Sequence, residues 1–227
     1  MTDTDNKEKP DMLKRMSSVV SHELRNPLAI ISNSLYFIKT KLGAGGAELD
    51  PKISKHIGII EGEVKHSNDV IEEMLSFTRA RELQLVPVRM NAGIDDLAGS
   101  FPLPQGVQLK REPDPADPRV NVDIETMRYA IRCLLANAVQ AMPEGGTVTI
   151  AVSCDDKFAH MTFSDTGPGF ADGGCEKAFE PFFTTRPRGI GLGLTIVRKF
   201  LELHGGSARA ENAGDGARVT ISLPRLK

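Results

Sequence analysis

Long hydrophobic runs are missing from this chain: no stretch of its 227 residues approaches the roughly 20 consecutive apolar residues of a membrane span. The opening MTDTDNKEKPD is polar and mixed in charge, so no segment is expected to insert into a membrane. A surplus of one charge is missing too, with 28 basic against 30 acidic residues and a formal charge of −2. A protein that tracks nucleic acid phosphates carries a basic excess, so nucleic acid is not an expected partner. Cysteine is scarce. Cys133, Cys154 and Cys175 are odd in number and far apart, and supply neither a disulfide framework nor paired zinc ligands. A reducing, cytoplasmic setting is expected. Internal repeats and low-complexity tracts are also lacking.

What is present divides into two halves of different periodicity. From Leu13, apolar positions run through Met16, Val20, Leu24, Pro27, Ile31, Leu35, Ile38 and Leu42 in steps of three and four, the seam of a long amphipathic helix. The breaker GAGGAELDP (43–51) follows, then a second stripe at Ile53, Ile57, Ile60, Val64, Ser67, Ile71, Met74 and Thr78. This pattern predicts a helical hairpin. One hairpin with a single seam per helix cannot enclose a core, whereas two copies about a two-fold axis make a four-helix bundle, so a homodimer is expected. Packing of the hairpin on the rest of its own chain is the open alternative.

Beyond Leu83 the pattern changes to short strand-like runs at 107–110, 119–122, 147–153, 160–164, 207–211 and 217–223. Helical stretches at about 93–99, 123–141 and 192–204 interleave with them. The expected architecture is α+β: a helical hairpin over 11–82, a linker over 83–92, and an α/β sandwich with a mixed sheet over 93–227. The Pro-rich stretch REPDPADP (111–118) reads as a hairpin loop, because its prolines cannot donate ladder hydrogen bonds.

His22 lies two residues from both Val20 and Leu24, about 200° of helix rotation, so its imidazole points away from the apolar seam. Asn26 shares that face one turn later, and Pro27 removes a donor beside the histidine. Taken alone, an exposed helical histidine signals nothing, and His56, His66, His160 and His204 read as surface or satisfied polar groups. The string SHELRNPL (21–28), however, resembles the phosphoacceptor box of sensor histidine kinases at every position. That resemblance implies that His22 is the phosphorylated residue, that Glu23 orients its ring and takes its proton, and that Asn26 positions a water for dephosphorylating a response regulator. Neutral imidazole is the needed nucleophile, and a pKa near 6.5 makes it available at neutral pH.

Four strings of the second half follow the order of the Bergerat ATP-binding fold, shared by histidine kinases, gyrase-type topoisomerases, MutL and heat-shock chaperones. The first is RCLLANAVQAMPEGG (132–146), on a helix that Asp123 is expected to cap. By the resemblance Asn137 holds Mg²⁺, for which an amide oxygen is a suitable hard ligand. The second, DTGPGF (165–170), gives Asp165 the adenine amino group; Gly167 and Gly169 permit positive φ and a close backbone approach. The third, FEPFFTTRP (179–187), resembles the end of an ATP lid, with Arg186 near the terminal phosphate and Phe179, Phe182 and Phe183 read as hinge or core packing. The fourth, GIGLGL (189–194), feeds a helix, so Gly189, Gly191 and Gly193 offer backbone N–H groups and a positive helix end to phosphate. It lacks the lysine-threonine ending of a P-loop.

The resemblance covers about residues 11–227, and its wording points to the short-lid, nitrogen-regulation-like group. Cys133, Ile190 and Gln140 depart from the pattern: Cys133 replaces an asparagine and is read as a small packing residue. The implied activity is ATP-dependent autophosphorylation of His22 and transfer to a response-regulator aspartate, with ATP and Mg²⁺ as cofactors. The implied partners are a second copy of the chain, a receiver domain, and a separate or missing sensor domain. A Bergerat-fold mechanical ATPase and a non-catalytic phosphotransfer module are the rival readings, since fold alone does not fix function. Whether phosphorylation runs in cis or in trans is open.

Overall fold

The computed structural model describes residues 24–42, 50–78, 82–99, 101–186, 189–214 and 216–227. The chain divides into two compact units, Met1–Ala80 and Arg81–Lys227.

In the first unit a helix α1 (24–42) and a helix α2 (Pro51–Thr78) form the hairpin read from the two stripes. Their antiparallel pairing is marked by two cross-helix ion pairs, Arg25 with Glu72 and Lys39 with Glu61, the latter at 2.9 Å. Both pairs are exposed and hold little energy; the apolar contacts carry the association. Leu35, Ile57, Val64, Ile71 and Leu75 are buried. The rest of the described stripes is not: Leu24, Ile31, Ile38, Leu42, Ile53 and Ile60 stay exposed. Pro27 does not end the helix, which runs on through it.

The second unit is a seven-stranded mixed sheet. In chain order it contains β1 (Val86–Arg89), α3 (Met90–Gly99), β2 (Val107–Glu112), β3 (Arg119–Val122), α4 (Ile124–Ala141), β4 (Gly146–Cys154), β5 (Phe158–Asp165), α5 (Gly174–Lys177), α6 (Gly193–Leu203), β6 (Ser207–Ala213) and β7 (Gly216–Leu226). The strand order is β1-β3-β7-β5-β4-β2, with β6 alongside β7. Among the described residues β2 and β4 pair in parallel, and the other pairings are antiparallel.

Period-two burial along β4 and β5 shows why one face takes helices. Val148, Ile150, Met161, Phe163, Ile221 and Leu223 point into the core with Ile131, Leu134 and Leu135 of α4 and Val197 and Leu201 of α6. The opposite face is polar: Thr162 meets Thr220 at 3.2 Å, and His160 meets Ser222 at 2.8 Å.

Two expectations are corrected. The stretch 83–92, read as linker, contains β1 and the first turn of α3, because Val86–Arg89 pairs residue for residue with β3. Residues 111–118 are not a hairpin loop. β2 pairs with β4 and β3 with β1 and β7, so the segment crosses between opposite sides of the sheet. It is pinned at the start of α3: Asn91 exchanges hydrogen bonds with the backbone of Asp114, and its own amide donates to the Asp117 carboxylate at 3.1 Å.

Candidate functional site

Helix α4 is the common wall of the site. Asp123 caps it as expected, its Oδ1 accepting from Thr126 N at 2.9 Å. The same carboxylate accepts from Gln84 N at 3.0 Å through Oδ2, and the Asp123 amide donates to Nε2 of buried His204 at 2.9 Å. His204 Nδ1 faces the Phe200 carbonyl at 2.6 Å, so the start of α4 is tied to the end of α6. With Nε2 accepting, Nδ1 carries the proton.

Along α4, Cys133, Asn137 and Ala141 stand four residues apart and share one face. Each meets a different loop. A Cβ placed on Gly193 would lie 3.9 Å from Cys133 Sγ. The Arg186 guanidinium donates to Asn137 Oδ1. A Cβ on Gly167 would lie 3.1 Å from the Ala141 carbonyl oxygen. The three glycine and lid segments, separated in sequence, therefore converge on one helix face.

Asp165 ends β5. Its Oδ1 accepts from Gly167 N at 2.9 Å and from Ala217 N at 3.2 Å, which anchors the carboxylate; none of the described residues donates a hydrogen bond to Oδ2. Gly169 has φ +72, and Phe170 is clasped by Asn212, its N–H donating to Oδ1 at 2.7 Å and its carbonyl accepting from Nδ2 at 2.9 Å. Gly167 does not have the positive φ expected of it; it is a glycine because Ala141 and Asp165 leave no room for a side chain. A shallow cleft of about 400 Å³ lies beside this turn, lined by Met142, Pro143, Glu144, Thr166 and Pro168 among others.

The lid closes on backbone. Phe182 N donates to the Gly191 carbonyl at 2.9 Å, with Phe182 at φ +66 and Gly191 at φ +73. A Cβ on Gly191 would meet the Phe183 oxygen at 2.5 Å, and one on Gly189 would meet Thr184 Oγ1 at 2.5 Å. Arg186 N donates to that same Thr184 oxygen at 3.1 Å. Of the three phenylalanines, Phe179 is buried in the core and Phe182 is 54% exposed. At α6 the first backbone bond runs from Ile196 to Leu192 and no side chain caps the end. The amides of Gly193, Leu194 and Thr195 thus precede the intrahelical ladder at the positive end of the helix. Buried Thr195 Oγ1 has no hydrogen-bond partner.

Whether a nucleotide and a divalent cation fit can be tested on these groups. Asn137 Oδ1 faces a cation, the guanidinium, and is a hard oxygen donor. Asp165 keeps one acceptor free of recorded protein donors, and α6 presents unbonded amides suited to phosphate. Among the described residues no group of three or more His, Cys, Asp and Glu is placed to hold a metal ion. The residues fit.

His22 and Glu23 lie outside the described residues. Asn26 is exposed on α1, in the first unit, and so belongs to a different body from Asn137, Asp165 and the glycines. Sequence reasoning missed Asn212, Thr184 and the second bond of Asp123. Only the Thr-Thr pair of 184–185 lay within a quoted motif. The three cysteines are half-buried and none is in a disulfide. Burial first, then Asp114, pushes the Cys154 thiol up, away from a reactive thiolate. No described helix is long and apolar enough to cross a membrane.

Comparison with known proteins places these features in a lineage. Residues 12–83 match the His Kinase A (phospho-acceptor) domain, and residues 122–227 match the histidine kinase-, DNA gyrase B-, and HSP90-like ATPase family. Among curated proteins the chain is 29% identical over 222 residues to the sensor histidine kinase ZraS of Escherichia coli O157:H7, covering 96% of this chain and 47% of that protein. It is 31% identical to the sensor protein FixL of Bradyrhizobium diazoefficiens, covering 92% and 43%. The chain thus spans about half the length of the curated relatives it matches. Among solved structures, histidine kinase ThkA in complex with the response regulator protein TrrA aligns with TM-score 0.69 at 27% identity, over 97% of this chain and 64% of that one. Full-length ShkA in complex with AMPPNP shares the fold with TM-score 0.76 at 23% identity, over 94% and 46%.

Proposed function

We propose, for a chain that belongs to the sensor histidine kinases and carries their catalytic core, that it phosphorylates its own His22 from MgATP and passes the phosphoryl group to a response-regulator aspartate. The observation that carries this reading is the convergence of Asn137, Arg186, Gly167 and Gly193 on α4, beside an Asp165 carboxylate with one oxygen open.

Asp165 accepts the adenine amino group, and the amides at the start of α6 bind phosphate oxygens. Asn137 and, once the nucleotide is in place, Arg186 face the phosphates from α4 and the lid. Mg²⁺, when bound, neutralises phosphate charge that repels the nucleophile. Neutral His22 attacks the terminal phosphorus through one ring nitrogen as the bond to ADP breaks, and Glu23 takes the proton from the other. Asn26, exposed on α1, holds the water that hydrolyses the phosphorylated regulator. Transfer requires that the nucleotide-bearing unit reach the histidine, so domain motion gates the reaction.

The hairpin's exposed apolar residues, Leu24, Ile31, Ile38, Leu42, Ile53 and Ile60, support a homodimeric four-helix bundle. The wording of the NAVQAMPEGG and PFFTTRP strings supports the short-lid, nitrogen-regulation-like group. A cytoplasmic location and a sensor supplied separately belong to the same reading.

The test is incubation with radiolabelled MgATP beside His22→Ala and Asn137→Ala. Label that is lost in acid, survives alkali and is absent from both variants is the expected result. ATP hydrolysis without stable label would favour a mechanical ATPase, and label persisting in His22→Ala would overturn the assignment.

A further inference from the structure

The turn Asp165–Phe170 is bolted to the β6–β7 hairpin at both ends. At one end Asp165 Oδ1 accepts from Ala217 N, and Gly216 approaches so closely that a Cβ there would lie 1.8 Å from the Asp165 carbonyl oxygen. At the other end a single side chain, Asn212, exchanges two hydrogen bonds with the backbone of Phe170. Gly169 accommodates that side chain: it sits at φ +72, and a Cβ on it would lie 2.8 Å from Asn212 Oδ1. Asn212 is itself exposed and adds nothing to the hydrophobic core.

An exposed side chain that satisfies a donor and an acceptor on one residue of a glycine turn restrains backbone that is otherwise free to move. The two attachments lie on either side of Gly167, whose amide completes the pair of bonds orienting the Asp165 carboxylate. Loosening the Phe170 end leaves Gly167 and Gly169 free to rotate, and the direction of Asp165 Oδ2 is then no longer held.

We propose that Asn212 is the positioning residue that makes this site selective for adenine, by holding the glycine turn so that Asp165 presents its open oxygen to an exocyclic amino group. This rests on the nucleotide-site reading above. Asn212 touches no part of the nucleotide; it acts through the turn.

The test compares binding of ATP and inosine triphosphate, which carries a carbonyl oxygen where ATP has the amino group, to the whole chain. The parent is expected to favour ATP by on the order of tenfold, as a hydrogen bond to a charged acceptor implies. Asn212→Ala is expected to weaken ATP roughly tenfold while inosine triphosphate changes by less than about twofold, so the ratio falls toward one. Asn212→Asp keeps the acceptor for the Phe170 amide but sets a carboxylate oxygen against the Phe170 carbonyl, so its ratio is expected to fall between those of the parent and Asn212→Ala, any charge effect falling equally on both nucleotides. The ratio is measured within one sample, so a partly unfolded variant lowers both signals together and leaves it interpretable. An unchanged ratio in Asn212→Ala beside a discriminating parent overturns the role of Asn212 alone. A parent that binds neither nucleotide, or both equally, overturns the reading of the site and this inference with it.

Discussion

The guanidinium of Arg186, in the lid, donates to the side-chain oxygen of Asn137, in the middle of α4. The proposed cation ligand is therefore covered by a cation of the protein itself.

That contact sets opposite expectations for two nucleotides. Arg186→Ala uncovers Asn137 but removes a positive group from the terminal phosphate. Affinity for MgADP should rise about threefold, and affinity for MgATP should fall about fivefold, shifts of about 0.6 and about 1 kcal/mol. Calorimetric titration of both nucleotides reads this; a fall in both would show that Arg186 does not compete for the oxygen.

Asp165→Asn preserves an acceptor for Gly167 N and Ala217 N but turns the open oxygen into an amide donor facing another donor. ATP affinity should drop by ten- to a hundredfold, the loss expected of a hydrogen bond to a charged group. The thermal midpoint should hardly change, and a large drop in it would assign Asp165 a structural role instead.

Gly191→Ala forces a side chain onto a residue at φ +73 and within 2.5 Å of the Phe183 oxygen. Strain of about 1–3 kcal/mol falls on the lid neck, which is local. Nucleotide affinity should fall roughly tenfold while global unfolding by urea stays close to that of the parent, a separation that fluorescence binding and denaturation together resolve.

His204→Ala removes the acceptor for the buried Asp123 amide. An unpaired buried donor costs about 1–3 kcal/mol, and the midpoint of urea unfolding of the second unit should move down accordingly. No change would mean that water replaces the imidazole.

Asp155 tests pH dependence. Backbone bonds from Lys157 and Phe158, and secondarily His160, hold its carboxyl below the usual carboxylate value. A depressed pKa gives stability that is present above the unfolded value, near 3.9, and lost as pH falls through the folded one. Asp155→Asn should therefore melt slightly below the parent at pH 7, and the gap should close in the acid range below about pH 4; a gap that widens in acid would reverse the assignment.

The correct and incorrect sequence expectations differ in range. Helix α4 was legible with its cap because Asp123 and Thr126 are three residues apart. Strands β4 and β5 were legible because one face of each is buried. β1 was not, since VPVR is four residues, mostly exposed, and carries a proline. The hairpin over 111–118 was misread because two neighbouring strands separated by a turn signal look the same whether they pair with each other or with distant strands.

By itself the sequence determined the helical stripes, the strands with one buried face, and the chemical groups of each motif, since these depend on residues within a turn or two of one another. Tertiary structure alone decided that Arg186 reaches Asn137, that Asn212 clasps Phe170, and that Ala217 orients Asp165. These contacts join segments more than forty residues apart in the chain. Their partners are set by strand register and helix packing, so no local pattern of side chains specifies them.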